Sequence, residues 1–154
     1  FFHATGAALK RLQDAGFAIL IVTNQSGVGR GYYTETEMHL VNAHVEQELA
    51  KDGVRVLKTY YATEAPDQPS RGRKPSPQFL FDARDEFGLD LAASYMIGDK
   101  LIDVECGWNA GVRKSILVRT GYGAKLAAQE PERLERAWIV NDLGEAAARI
   151  LAPG

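Results

Sequence analysis

The chain has 154 residues, 45% of them hydrophobic and 25% charged, which is a globular composition sized for one ordinary domain with one core. A net charge of −2 gives no general nucleic-acid footprint, and no apolar run approaches the roughly 20 residues that span a bilayer. A single cysteine, Cys106, excludes an intrachain disulfide and a Cys-rich zinc cluster.

No signal peptide is visible, and a reducing, cytoplasmic setting fits the cysteine content. The chain opens at Phe1-Phe2-His3 rather than Met, almost directly on a helical pattern, so a cropped N-terminus is expected. Ala4, Ala7, Ala8, Leu9 and Leu12 fit a first helix stopped at Gly16. Phe17 to Val22 has no polar interruption and predicts a strand buried on both faces. Residues 24 to 33, with Gly27, Gly29 and Gly31, read as a loop of unusual backbone freedom. Thr34 and Glu37 form a capping-box pattern opening a helix to about Lys51. Val56 to Ala62 is the second predicted strand, and four prolines make residues 63 to 77 a loop. Pro77 suits the first turn of a helix that stops at Gly88. Tyr95 to Ile97 is the third strand, Leu101 to Ala110 a helix ending at Gly111, and Ser115 to Val118 the fourth strand. Trp138 to Val140 is a short fifth strand, and Asp142 caps a last helix to Leu151. Alternating strands and helices predict an α/β fold, a mostly parallel sheet with helices on both faces.

Polar groups gather just beyond the strands, where open parallel sheets bind ligands. Thr23-Asn24-Gln25-Ser26-Gly27 follows the first strand. A hydroxyl, an amide and backbone N–H groups at such a turn can hold phosphate oxygens, although the same residues could simply cap the strand. Arg71, Arg73 and Lys74 crowd the proline-rich loop. A charge run is usually a solvated surface, but Pro75 restricts Lys74 to extended geometry and would aim its side chain. Lys supplies a compact point charge and Arg73 could make a bidentate contact to phosphate. Gly98-Asp99-Lys100, with Asp103 four residues on, is the strongest local signal. Helix-dipole stabilisation accounts for either aspartate alone, but less well for an aspartate directly after a strand and a glycine. Mg²⁺ takes few protein carboxylates, and Asp99 fits that role. His39 and His44, five apart, do not share a helical face, while Cys106, Trp108 and Trp138 read as packing residues.

Together TNQSGVGRG (Thr23 to Gly31), RKPSP (Arg73 to Pro77) and ASYMIGDKLIDVECGWNAG (Ala93 to Gly111), with ILVRTGYG behind them, resemble the haloacid dehalogenase superfamily of phosphohydrolases. The resemblance is closest to its histidinol-phosphate and D-glycero-D-manno-heptose 1,7-bisphosphate phosphatase branch, and runs from about residue 4 to 151. It implies a three-layer α/β/α sandwich with a Rossmann-like sheet and no large cap domain, residues 1–154 forming a single, N-terminally incomplete phosphatase domain. It implies that Thr23 binds the transferring phosphoryl group and that Lys74 steadies its charge. Asn24, Gln25, Ser26, Arg73 and Lys100 would contact substrate, Asp99 would ligate Mg²⁺, and Asp103 would support the metal. The superfamily's Asp-x-Asp, nucleophile and acid/base, occurs nowhere in these residues, so an upstream segment carrying both is expected and the 154 residues alone should be inactive. Residues 63–72 contain neither Cys nor His, so the zinc cluster of many heptose-bisphosphate phosphatases is not expected.

The leading expectation is a cytoplasmic, Mg²⁺-dependent phosphatase of carbohydrate metabolism that acts on a small phosphorylated metabolite and forms an aspartyl-phosphate. Removal of the 7-phosphate of a heptose bisphosphate is the first choice and histidinol phosphate the next. The intact protein is expected to be a monomer, with no nucleic-acid or membrane partner. A polynucleotide 3′-phosphatase, which shares a sequence like TNQSGVGRG, and a non-catalytic phosphate-binding module are the alternatives.

Overall fold

A computed structural model describes residues 3–153. Phe1 and Phe2, read above as the opening of the chain, lie outside the described residues. The chain divides into two compact units, one through Arg73 and one over Lys74–Ala152.

The first unit holds helix α1 (His3–Asp14), strand β1 (Ile19–Asn24), the short helix α2 (Ser26–Gly29), helix α3 (Glu35–Lys51) and strand β2 (Val56–Ala62). β1 and β2 pair in parallel, Thr23 opposite Tyr61 and Asn24 opposite Ala62. Leu12 is buried on α1, and Met38 and Leu49 on α3. The capping box is present: Thr34 accepts from the Glu37 N–H, and Glu37 accepts from the Thr34 N–H.

Two expectations change here. β1 begins at Ile19, because the Phe17 N–H donates to the Leu12 carbonyl and so closes α1. Only Ile19 of β1 is buried; the rest of the strand is half-buried. An unbroken apolar run reports what a strand carries, not what covers it. The glycine-rich loop also contains a helical turn, α2, before Gly31 reverses the chain at φ +79°.

The second unit holds α4 (Gln78–Phe87), β3 (Tyr95–Gly98), α5 (Leu101–Ala110), β4 (Lys114–Val118), α6 (Gly123–Gln129), β5 (Trp138–Val140) and α7 (Leu143–Leu151). Its sheet is parallel, in the order β3-β4-β5. Ile116 and Leu117 are successive, so they face opposite sides of the sheet. Leu117 packs with Val104 of α5 and Leu134, and Ile116 with Val140 and Ala146 of α7. This unit is therefore an α/β/α sandwich with α5 and α7 on opposite faces. Gly107 allows α5 to close on the sheet, since a Cβ there would lie 2.1 Å from Ser115 Oγ. The buried Ser115 hydroxyl donates to the Val104 carbonyl at 2.8 Å.

Pro77 caps α4 rather than opening it; its carbonyl accepts from the Leu80 and Phe81 N–H groups. Gly88 and Gly111 end their helices in the left-handed conformation. α6 was not expected from the sequence. Trp108 and Trp138 pack against the two clusters, and Cys106 is fully buried, as expected of structural residues. No described helix is long and apolar enough to cross a membrane.

Candidate active site

In the first unit the candidate residues sit where β1 ends. The Gln25 N–H still donates to the Ala62 carbonyl at 2.7 Å, so the strand ladder holds the chain until it turns. α2 is pressed onto residues 63–65: the Gly29 N–H donates to the Thr63 carbonyl at 2.8 Å, and a Cβ on Gly29 would lie 2.5 Å from the Ala65 nitrogen. Gln25 Nε2 donates to Thr23 Oγ1 at 3.3 Å, and Tyr33 Oη donates to Gln25 Oε1 at 2.6 Å. Thr23, Asn24, Gln25 and Ser26 thus form one half-buried turn. At the other end of this unit Arg73 is braced by its own loop. Its Nη1 donates to the Glu64 carbonyl at 3.1 Å and its N–H to Ser70 Oγ at 3.1 Å.

In the second unit β3 delivers Gly98, Asp99 and Lys100 to the start of α5. Asp103, in the first turn of α5, organises everything nearby. Its Oδ1 pairs with Lys74 Nζ at 2.6 Å, with the side chains 11% (Lys74) and 7% (Asp103) exposed. Its Oδ2 accepts from the N–H groups of both Asp99 and Lys100 at 3.1 Å. A Cβ on Gly98 would sit 2.3 Å from that oxygen, which gives the glycine before Asp99 a physical reason. Lys74 is held from its C-terminal side as well. Asn109 Nδ2 donates to the Pro75 carbonyl at 3.0 Å, and the Cys106 thiol to the Ser76 carbonyl at 3.4 Å. Burial pushes the Cys106 thiol up to about 11; the neighbouring Lys74 charge pulls the other way.

Asp99 Oδ2 accepts from the Tyr122 N–H at 3.2 Å. Gly121 makes that approach possible: its φ is +66°, and a Cβ would lie 2.3 Å from the same oxygen. Lys100 Nζ lies 5.0 Å from the Tyr122 ring centroid. An open depression of about 330 Å³ starts at Asp99 and Lys100 and continues along α6 past Lys125.

The second unit therefore brings Lys74, Asp99, Lys100 and Asp103 together. The turn after β1 does the same for Thr23, Asn24, Gln25 and Ser26 in the first unit. Sequence reasoning missed Tyr33 and the backbone of Tyr122. Tyr122 lies in the quoted ILVRTGYG, where a glycine beyond a strand end was a usable signal, whereas nothing in the pattern singled out Tyr33.

Asp99 supplies carboxylate oxygen, the donor a hard divalent cation takes from protein when phosphate and water supply the rest. Among the described residues no group of three His, Cys, Asp or Glu side chains could hold a metal alone. Such a donor set suits Mg²⁺ shared with a phosphorylated ligand better than a closed structural metal cage.

The chain matches a family model described as HAD-hydrolase-like over residues 72–146. It is 37% identical over 145 residues to the D-glycero-beta-D-manno-heptose-1,7-bisphosphate 7-phosphatase of Escherichia coli K12, covering 90% of this chain and 74% of that protein. It is 35% identical over 121 residues to the D-glycero-alpha-D-manno-heptose-1,7-bisphosphate 7-phosphatase of Photorhabdus laumondii, covering 74% of this chain and 66% of that protein. The chain thus spans about two thirds to three quarters of these relatives' lengths. The crystal structure of D,D-heptose 1,7-bisphosphate phosphatase from B. bronchiseptica, complexed with magnesium and phosphate, superposes with a TM-score of 0.88 at 29% identity, covering 97% of this chain and 83% of that one.

Proposed function

The chain belongs to the heptose-bisphosphate phosphatase family of HAD-like hydrolases, and from that premise we infer that it removes the 7-phosphate of D-glycero-D-manno-heptose 1,7-bisphosphate. The observation that carries the chemistry is the buried Lys74–Asp103 pair, whose second carboxylate oxygen holds the backbone of Asp99 and Lys100. Phosphoryl transfer needs little covalent work from the protein beyond its nucleophile; it needs fixed positive charge and fixed donors where negative charge spreads.

Each residue takes a part that its surroundings suit. Lys74, aimed by Asp103, offers a point charge to the phosphoryl oxygens. The Thr23 hydroxyl donates to one of them. Asn24, Gln25 and Ser26 contact the phosphorylated substrate from the same turn. Arg73, its guanidinium braced on the Glu64 carbonyl, recognises the sugar phosphate. Lys100 reaches the substrate phosphate. Asp99 would hold Mg²⁺, which would neutralise phosphoryl charge, and Asp103, which accepts from the Asp99 N–H, would support that position. The reading takes both units as parts of one phosphatase domain of a cytoplasmic enzyme. It also carries with it a carboxylate nucleophile, and residues 1–154 contain no Asp-x-Asp pair, so the reading is to be tested on the full-length protein.

The test is phosphate release by that full-length protein from heptose 1,7-bisphosphate of either anomer, with histidinol phosphate alongside. Turnover of the heptose substrate that stops with EDTA and returns with Mg²⁺ is expected. Preference for histidinol phosphate, or turnover indifferent to EDTA, would overturn the assignment.

A further inference from the structure

We propose that Gln68 is a positioning residue that sets the Arg73 guanidinium by holding one peptide plane; this rests on the reading of Arg73 as a contact to the sugar phosphate. The Glu64 carbonyl and the Ala65 N–H belong to a single planar peptide unit and point in opposite directions from it. Gln68 Oε1 accepts from the Ala65 N–H at 2.7 Å, and Arg73 Nη1 donates to the Glu64 carbonyl at 3.1 Å. The polarity of both bonds is fixed, because a backbone N–H and a guanidinium only donate and a carbonyl only accepts. Gln68 must therefore present its oxygen at one end of the plane, and the carbonyl at the other end faces the arginine. A rotation of the plane that broke the first bond would swing the carbonyl away from the second.

The peptide units on either side are held as well. The Gly29 N–H donates to the Thr63 carbonyl at 2.8 Å, and the Gln68 N–H to the Ala65 carbonyl at 2.9 Å. A Cβ on Gly29 would lie 2.5 Å from the Ala65 nitrogen and 2.9 Å from Gln68 Oε1, so bare α2 backbone covers that hydrogen bond from one side. The Arg73 N–H donates to Ser70 Oγ at 3.1 Å, which ties down the backbone end of the same side chain. With Nη1 engaged, Nε and Nη2 have no hydrogen bond or ion pair among the described residues. Those two nitrogens carry the parallel N–H pair that a phosphate takes bidentately. A guanidinium fixed in advance binds more tightly, because its rotamer freedom is lost before the ligand arrives.

The test is Gln68→Leu in the full-length protein, which removes the acceptor from an exposed side chain. KM for heptose 1,7-bisphosphate should rise about 3- to 10-fold, the size expected for one net hydrogen bond. kcat should stay nearly unchanged, because Arg73 grips ground and transition states alike. The rise should vanish beside Arg73→Ala. Without any substrate, rotation of the Arg73 guanidinium, read by NMR, should quicken in Gln68→Leu and stay slow in Gln68→Glu, whose carboxylate still accepts. A wild-type KM for Gln68→Leu, an equal rise beside Arg73→Ala, or guanidinium rotation unmoved by Gln68→Leu would overturn the positioning role. The reading of Arg73 itself fails by a separate result: Arg73→Ala leaving KM unchanged.

Discussion

Burying a lysine and an aspartate together is tolerable only when each satisfies the other and the remaining lone pairs are filled. Asp103 meets that condition through Lys74 on one oxygen and two backbone N–H groups on the other. The two members are not equivalent, and the difference can be measured. Asp103→Ala takes its carboxylate away from a buried ammonium and unpairs the Asp99 and Lys100 N–H groups, so it should cost about 3–5 kcal/mol by urea denaturation. Lys74→Met leaves Asp103 still bonded to both N–H groups and should destabilise less. Its effect falls on chemistry instead: kcat should drop roughly 100- to 1000-fold, as for loss of one preorganised donor of charge stabilisation. Cys106 makes a residue-scale prediction of another kind. Its thiol is raised from 9.0 to about 11 by burial, so the folded state prefers the neutral form. That preference is fully present below the unfolded value and is lost as pH rises through 11. Urea midpoints should accordingly fall between about pH 9 and 11, less so in Cys106→Ala, while alkylation at pH 8 should run about 100-fold slower than for a free thiol.

At the scale of elements, α6 shows how a segment with weak local signals is fixed by contacts. A Cβ on Gly123 would lie 1.7 Å from the Val118 carbonyl oxygen, which is backbone and cannot swing away. Gly123→Ala should therefore cost about 1–3 kcal/mol in chemical denaturation. Because the Tyr122 N–H bonded to Asp99 is next in the chain, the same change should raise the Mg²⁺ concentration needed for half-maximal activity. Local rules made other elements legible. β2 and β5 have the predicted bounds, because short apolar runs between turn residues leave little choice. α3 was announced by Thr34 and Glu37, α5 by its terminal Gly111. α6 was not, since its seven residues begin at glycine without a side-chain cap. Nor was α2, where three glycines suggested only freedom. The site divides the same way. Lys74, Asp99 and Asp103 were readable because each sits at a sequence-local landmark. The partnership of Lys74 with Asp103, 29 residues apart, and of Asp99 with Tyr122, 23 apart, exists only after folding.

The 154 residues carry 18 basic and 20 acidic side chains, so they supply no strong net positive field to gather anions. On the proposed reading, recognition of a bisphosphate comes from a few cations held at short range, such as Lys74 at 11% exposure. Such contacts are screened far less than a field spread over a surface. Tracking a polynucleotide backbone works differently: neutralising six to ten phosphates releases condensed counterions and loses about 10³–10⁵ in affinity between roughly 50 and 200 mM salt. For this protein kcat/KM on heptose bisphosphate should fall less than about 10-fold over that range, because a small ligand has no condensed counterion atmosphere to release. Steady-state assays at four salt concentrations, with Mg²⁺ fixed, measure the slope directly. A steep slope, together with 3′-phosphate release from DNA, would assign the family's phosphoryl-transfer machinery to a polynucleotide; a shallow one follows from charge that acts only where Lys74, Arg73 and Lys100 stand.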